Sequence, residues 1–178
     1  REDSRGSDAT RNLAAAAPNA KPSPMTPPTH ILIRQARPDD AAALQAILRD
    51  TFESTWLPQL TAEAARAFEN EDRPAAFVGE RGLLFLVAEV GGEVVGLVDR
   101  NGDFVNALHV RSSHARTGVG GRLMDRAEAE MARAGLTAAR LETDTFNQRA
   151  QAFYAARGYR EAGRYPDEEW NSGLTTIL

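Results

Sequence analysis

Two tight-turn signals in the middle of the chain constrain its fold more than any other feature. Gly91-Gly92 separates apolar segments at 83–90 and 94–98, and Asn101-Gly102 precedes a further segment at 103–110. Both dipeptides favour two-residue hairpins, because their residues readily adopt positive φ. The sequence therefore predicts three consecutive strands, Leu83 to Val90, Val94 to Val98 and Asp103 to Val110.

Helical and strand patterns alternate on either side of these strands. A short apolar strand at 31–35 precedes Pro38 and two aspartates, which suit the first turn of a helix expected to reach about Arg49. A weaker helical pattern covers Ala62 to Phe68. The downstream sequence predicts a helix from about Gly121 to Ala134, a strand from Ala138 to Thr143, a helix from Gln148 to Arg157, and strands at Tyr159 to Tyr165 and Leu174 to Leu178.

Composition excludes several classes of protein. The chain has 178 residues, enough for one domain, with 21 Lys and Arg against 25 Asp and Glu and no basic stripe. This charge disfavours a nucleic-acid or anionic-membrane partner and suits a cationic acceptor slightly better. The absence of Cys excludes a disulfide framework, a thiolate metal site and a cysteine nucleophile, and it fits a cytoplasmic enzyme. No metal is expected.

The N-terminal segment differs from the rest. Arg1 to Pro24 mixes charges with an alanine run, Pro, Asn and Ser, without a periodicity that could bury one face. We expect residues 1–29 to form a disordered extension, with Met25 as a native start, and residues 30–178 to form the domain. The chain shows no apolar run of the length that a signal peptide or a membrane span needs.

A Gly-rich turn follows the third meander strand and leads into an amphipathic helix. Gly118, Gly120 and Gly121 allow close backbone approach, and consecutive amides at a helix N-terminus attract a pyrophosphate. Arg116 and Arg122 could add positive charge. An ordinary turn is the alternative. The Rossmann fingerprint of a dinucleotide oxidoreductase needs a third Gly where Leu123 stands, and the Walker motif's Gly-Lys-Ser/Thr is absent.

Two ordered motifs resemble a known family. Leu108-His109-Val110 followed by Gly118-Val119-Gly120 is similar to the acetyl-CoA-binding motif of the Gcn5-related N-acetyltransferases (GNAT), Gln/Arg-x-x-Gly-x-Gly/Ala. Ala115 stands at the Gln/Arg position and Arg116 one place later. Downstream, Asn147-x-x-Ala150-x-x-Phe153-Tyr154-x-x-x-Gly158-Tyr159 resembles the family's Asn…Ala…Phe-Tyr…Gly-Phe segment. The resemblance covers Ile31 to the C-terminus.

The resemblance implies an α/β fold in which a mixed, largely antiparallel sheet flanked by helices divides between its fourth and fifth strands. Pantetheine of acetyl-CoA would then insert between 103–110 and 138–143. Backbone groups of Leu108 and Val110 and the side chain of Asn147 would bind pantetheine, and an amide near Val110 would polarise the thioester. The pyrophosphate would lie against Arg116, Thr117, Gly118, Val119, Gly120 and Gly121.

The chemistry requires a neutral amine, oxyanion stabilisation and a proton for the leaving thiolate. The resemblance assigns that proton to Tyr154. For the base, Asn106 stands where many relatives carry an acid. Its amide can orient a water or the substrate, which is its predicted catalytic role, but it cannot accept a proton near neutral pH. Asp103 and His109 remain as catalytic candidates, and an amine that arrives neutral needs no dedicated base.

The resemblance places the acceptor pocket at the loop after the first helix and at the last hairpin. Phe52, Thr55, Trp56 and Trp170 are the candidate substrate-binding residues, and Tyr165 on the last hairpin belongs to the same expected pocket. The two Trp residues either clamp a ligand or cap the core. The acids at 167–169 either attract a cationic amine or form a solvated face.

Three functions stay open from the sequence. The first is acetylation of a small-molecule amine, which bulky Trp56 and Trp170 favour by suggesting a closed pocket. The second is acetylation of a protein N-terminus or Lys, and the third is a catalytically weak CoA-binding module. Exposed sheet edges would allow a homodimer.

Overall fold

The computed structural model describes residues 30–70, 72–166 and 174–178. The strands are β1 (Ile31–Gln35), β2 (Leu86–Val90), β3 (Glu93–Asn101), β4 (Phe104–Val110), β5 (Arg140–Leu141), β6 (Thr143–Asp144), β7 (Arg164–Pro166) and β8 (Thr175–Ile177). The helices are α1 (Ala41–Thr51), α2 (Ala62–Asn70), α3 (Arg73–Arg81), α4 (Val119–Arg133) and α5 (Gln148–Ala156). Short 3₁₀ turns at Pro38–Asp40, Leu57–Gln59, Gly82–Leu84 and Ser112–His114 and a π-helical segment at Phe52–Trp56 connect them.

The strands form two sheets. Five strands have the order β1-β2-β3-β4-β5, and three have the order β6-β8-β7. Neighbouring strands are antiparallel except β4 and β5, which are parallel. The mixed α/β fold class expected from the sequence is confirmed.

The meander predicted from the two turn dipeptides is confirmed. Gly91, Gly92 and Gly102 all have positive φ, between 58° and 87°, as such tight turns require. The first meander strand begins at Leu86 rather than Leu83, because Gly82–Leu84 forms a 3₁₀ turn that leaves Leu83 and Leu84 largely exposed.

Two strands predicted in the C-terminal part differ from the structure, and one helix was not predicted. The single strand expected at Ala138 to Thr143 is two short strands in different sheets, interrupted at the exposed Glu142. The strand expected from Tyr159 is restricted to β7, which begins at Arg164. Helix α3 was not predicted, since Pro74 in its first turn and Gly79 in its interior hide its helical pattern.

Buried side chains form one core on each face of the five-stranded sheet. Side chains alternate across a strand, so neighbours in β2 reach opposite faces: Val87 packs with α1 and α3, and Ala88 packs with α4. Leu44 and Ile47 of α1 fill the first core, and Leu123 of α4 fills the second. None of the helices in the described ranges is long and apolar enough to cross a membrane.

Gly96 of β3 allows the first turn of α4 to lie directly against the sheet. A Cβ at Gly96 would approach Val119 Cγ1 to 3.0 Å, and both Leu123 Cδ1 and the backbone oxygen of His109 to 3.1 Å. Distances of 3.0–3.4 Å are tighter than most real Cβ contacts, so these neighbours would have to shift by a few tenths of an ångström in a close-packed interior. The missing Cβ therefore sets the position of the α4 N-terminus beside the end of β4.

We expect Gly96→Ala to lower the free energy of unfolding by about 1–3 kcal/mol, because the added methyl overpacks this contact. Gly79→Ala is the matched control. Gly79 is exposed within α3 and a Cβ there meets nothing within 4 Å, so this change should stabilise by roughly 0.5–1 kcal/mol. Urea unfolding of both variants measures the difference, and equal stability of Gly96→Ala and wild type would contradict the close approach.

Candidate active site

Strands β4 and β5 separate after two residue pairs. Phe104 pairs with Arg140 and Val105 with Leu141, and the chain then turns through Glu142 into β6, which pairs with β8 instead. Beyond Val105, β4 therefore has no strand on that side among the described residues. Its outward backbone groups can hydrogen-bond to an extended ligand, as an added strand does.

A β-bulge marks the end of this pairing. Asp99 pairs with Ala107 and Arg100 with Val105, so Asn106 is the extra residue. Its amide donates to Asp99 Oδ2 at 2.9 Å, and Asp99 is fully buried and receives two further bonds from Arg81 at 2.6 and 2.9 Å. The Asn106 side chain thus anchors the bulge. Its catalytic role stays a prediction.

The Gly-rich turn places backbone amides at the start of α4. Arg116 and Gly118 have φ values of 62° and 91°, and Val119 begins the helix. The first amides of a helix have no partner within it, and together with the dipole they favour an anion. Thr117, Gly118, Gly121 and Arg122 line a surface concavity there. Within the described ranges, neither Arg116 nor Arg122 forms an ion pair, so both guanidinium groups are available to an anionic ligand.

The last turn of α1 holds this loop in place. Asp50 accepts bonds from the backbone amide of Ser112 at 2.6 Å and from its hydroxyl at 2.7 Å. Sequence reasoning missed Asp50, because 62 residues separate the partners and neither belongs to a motif.

Asn147 caps helix α5. Its Oδ1 accepts from the amide of Ala150 at 3.1 Å, which satisfies one of the helix's free amides. The capping bond uses the oxygen and leaves the amide nitrogen available as a donor. A structural role and the predicted pantetheine contact are therefore compatible.

Tyr154 differs from the other two tyrosines in that its hydroxyl remains available to a ligand. Tyr159 donates to Glu128 at 2.9 Å and Tyr165 donates to Glu142, whereas Tyr154 OH has no partner among the described residues and is not a buried unpaired atom. The Tyr154 ring packs edge-on against Phe153 and Tyr159. Burial raises the pKa of Tyr154 to about 12, so its phenol stays protonated near neutral pH.

His109 lies on the unpaired half of β4, between α1 and the π-helical segment. Its Nδ1 is 2.8 Å from Thr51 Oγ1, and its ring centroid is 5.8 Å from that of Trp56. Burial lowers the pKa of His109 to about 4, so the ring is neutral near pH 7. Thr51 is a site residue that the sequence did not reveal.

Trp56 connects the two sides of the divided sheet. Its Nε1 donates to Asp144 Oδ2 of β6 at 2.8 Å, across 88 residues of sequence. The π-helical Phe52–Trp56, which continues α1, positions this ring together with the partly buried Phe52 and Thr55. π-helical turns are frequent at functional sites. Asp144 was not anticipated, since its neighbours suggested an uninterrupted strand.

The remaining candidates lie elsewhere. Asp103 is at the closed end of the division, where Arg140 donates two bonds to it at 2.8 and 2.9 Å. This ion pair lowers the pKa of Asp103, so its carboxylate is a poor proton acceptor. Trp170 and the acids at 167–169 lie outside the described residues. Within those residues, no group of three or more His, Asp or Glu side chains could hold a metal ion.

A sheet divided beside a Gly-rich helix N-terminus is the arrangement that the sequence resemblance implies for transfer of an acyl group from a CoA thioester. The sequence model of the acetyltransferase (GNAT) family matches residues 41–159. The chain therefore belongs to the acetyltransferase (GNAT) family. The predicted enzyme class, an N-acetyltransferase, is confirmed with it.

One curated relative and two solved structures illustrate what this chain is similar to. An uncharacterized N-acetyltransferase of the pepI 3′ region in Lactobacillus delbrueckii subsp. lactis is 28% identical over 146 residues, which cover 73% of this chain and 84% of that protein. A GCN5-related N-acetyltransferase from Rhodopseudomonas palustris has a TM-score of 0.67 and 26% identity, covering 82% of this chain and 91% of that one. YncA from Salmonella typhimurium, solved with its cofactor acetyl-CoA, has a TM-score of 0.63 and 20% identity, covering 84% and 91%.

The lowered pKa of His109 predicts a specific pH dependence of stability. An unfolded His binds its proton near pH 6.5 and the folded one only near pH 4, so the unfolded state gains protons first as the pH falls. Wild type should lose roughly 1–2 kcal/mol of unfolding free energy to this group between pH 7 and pH 5. His109→Gln should lack that loss in urea titrations, whereas His30→Gln, at an exposed residue, should retain it. The same pH slope in His109→Gln would refute the assignment.

Proposed function

We propose that this protein transfers the acetyl group of acetyl-CoA to a primary amine of a small molecule. The observation that carries the proposal is the unpaired edge of β4 beyond Val105, which ends beside the exposed amides of the α4 N-terminus. Pantetheine is an extended amide chain ending at a pyrophosphate, so one ligand fits both features. YncA, which has a similar fold, binds acetyl-CoA.

The donor-binding groups follow from this placement. Backbone groups of Leu108 and Val110 hydrogen-bond to pantetheine, and the free amide nitrogen of Asn147 donates to it. The pyrophosphate accepts bonds from the amides of 117–121, and Arg116 and Arg122 add positive charge at this exposed site. Acetyl-CoA supplies an activated acyl carbon.

Direct attack by the amine needs no covalent enzyme intermediate. The amine nitrogen bonds to the carbonyl carbon, an amide near Val110 stabilises the oxyanion, and the C–S bond breaks as Tyr154 donates a proton to the thiolate. His109 is the acceptor of the amine's proton. The other two candidates are less suited, because Arg140 holds Asp103 and Asn106 is an amide engaged with Asp99.

A small acceptor is favoured by the bond between Trp56 and Asp144. This bond spans the division on the side where the amine must enter, and the Trp56 ring packs beside His109. A peptide acceptor needs an open groove across the sheet at that place. Acetylation of a protein N-terminus or Lys is the second candidate, and removal of the Trp56 ring would then improve it.

The donor can be tested before any acceptor is known. Saturation with acetyl-CoA at about a hundred times its Kd should add about 2.7 kcal/mol of stability, which raises the Tm by roughly 5–10 °C for a domain of this size. NAD at the same concentration should leave the Tm unchanged. A rise in Tm with NAD alone, or no rise in Tm with either ligand, would refute the proposed donor.

The proposed role of Tyr154 as the general acid can be tested by comparing it with Tyr159, which follows the same helix. Tyr154→Phe should lower kcat about 100-fold with little change in the Kd for acetyl-CoA, since it removes the proton donor. Tyr159→Phe removes the bond to Glu128 and should reduce the Tm while leaving kcat nearly unchanged. Thiol release from CoA in the presence of an accepted amine measures both. Similar kcat values for Tyr154→Phe and wild type would exclude this role.

A further inference from the structure

We infer that Thr51 is a positioning residue for His109: its hydroxyl fixes the imidazole as the Nδ1–H tautomer and so keeps the Nε2 lone pair available for the amine's proton. The catalytic consequence rests on the proposed function. The tautomer itself is a property of the free protein and needs no substrate.

The contacts of the Thr51 hydroxyl determine where its single proton points. Oγ1 lies 3.0 Å from the backbone oxygen of Ile47 and 3.1 Å from that of Leu48, and 2.8 Å from His109 Nδ1. If the hydroxyl donated to Nδ1, its lone pairs would face two carbonyl oxygens at these short distances without a proton between them. Donation towards the carbonyls, as is common for Thr in helices, removes that repulsion. Nδ1 must then be the donor and Thr51 the acceptor.

This direction sets the state of the other ring nitrogen. A neutral imidazole has one N–H, and the hydrogen bond of one nitrogen fixes the state of the other. With the proton on Nδ1, Nε2 of His109 has a free lone pair. No described residue bonds to Nε2, and Nε2 is not a buried unpaired atom, so solvent-sized groups reach it.

Two contacts keep the imidazole ring in one orientation. Thr51 holds one edge from α1, and the Trp56 ring packs beside it with its own nitrogen bound to Asp144. Because Nδ1 points to α1, Nε2 on the opposite edge points away from α1. The lone pair is therefore turned away from the helix that holds the ring.

The proton transfer balances with the groups already named. As the amine nitrogen bonds to the carbonyl carbon, its N–H bond breaks and the proton moves to His109 Nε2, forming an imidazolium with N–H on both nitrogens. The C–S bond then breaks and Tyr154 protonates the sulfur. Solvent afterwards removes the proton from His109 and returns one to Tyr154, so the net products are the amide and free CoA.

The tautomer of His109 can be measured directly, because the chain contains only three His residues and gives few imidazole signals. Two-bond ¹H–¹⁵N correlation spectra at pH 7 show which imidazole nitrogen is unprotonated, and the spectrum of His109→Gln assigns the His109 signals by their loss. We expect Nε2 to be unprotonated in wild type and in Thr51→Ser. Thr51→Val, which keeps the shape but removes the hydroxyl, should shift His109 towards the Nε2–H form. Protonated Nε2 in the wild-type protein would overturn the inference.

Kinetics test the catalytic consequence. Thr51→Val should lower kcat about tenfold with little change in KM, and Thr51→Ser should restore it, since general-base catalysis depends on a correctly placed lone pair. In the His109→Gln background, Thr51→Val should have no further effect on kcat, because a positioning residue acts only through its partner. An equal loss in both backgrounds would show a merely structural role and overturn the inference.

The two failures are distinguishable. Absence of acetyl transfer to any amine would refute the proposed function while the spectra still decide the tautomer. An unprotonated Nδ1 together with normal acetyl transfer would refute the positioning role and leave the proposed function intact.

Discussion

Hydrogen bonding between β4 and β5 stops at Val105. The proposed donor side and the proposed acceptor side of the site both depend on that interruption. The bulge at Asn106 follows immediately, and bulges increase local twist, which turns β4 away from its neighbour. Buried Asp99, which is paired with Arg81, accepts a hydrogen bond from the Asn106 amide and so fixes the position of the bulge. Unpaired backbone groups are tolerated where water or a ligand can satisfy them. An opening maintained in this way offers an extended ligand hydrogen bonds that folding has left unused.

The last turn of α1 contacts both the proposed donor side and the proposed acceptor side of that opening. Adjacent residues of a helix point about 100° apart, so Asp50 reaches the Gly-rich loop through Ser112 while Thr51 reaches His109. The same helix continues into the π-helical segment that presents Trp56. The Gly-rich loop, the proposed base and the proposed acceptor wall are thus all positioned by one helix, whose apolar face is fixed in the core by Leu44 and Ile47.

The parts predicted from sequence are those encoded by neighbouring residues. Hairpin turns depend on two residues with positive φ, and the start of α4 depends on a short Gly-rich run, so both could be read locally. The missed contacts join distant residues: Thr51 with His109 across 58 residues and Trp56 with Asp144 across 88. The division at Glu142 also escaped prediction, because a strand's propensity does not reveal which sheet it joins.

Burial shifts the pKa values of the two proposed catalytic groups in opposite directions. Burial disfavours the charged form of any group, so it lowers the pKa of His109 and raises that of Tyr154. Near neutral pH the proposed base is therefore deprotonated and the proposed acid protonated, as the proposed amine attack and thiolate departure require. A base with a low pKa is intrinsically weak, but the amine's proton becomes much more acidic once its nitrogen bonds to the carbonyl carbon. In the proposed reaction His109 needs to accept a proton only after attack has begun, and its orientation then matters more than its basicity.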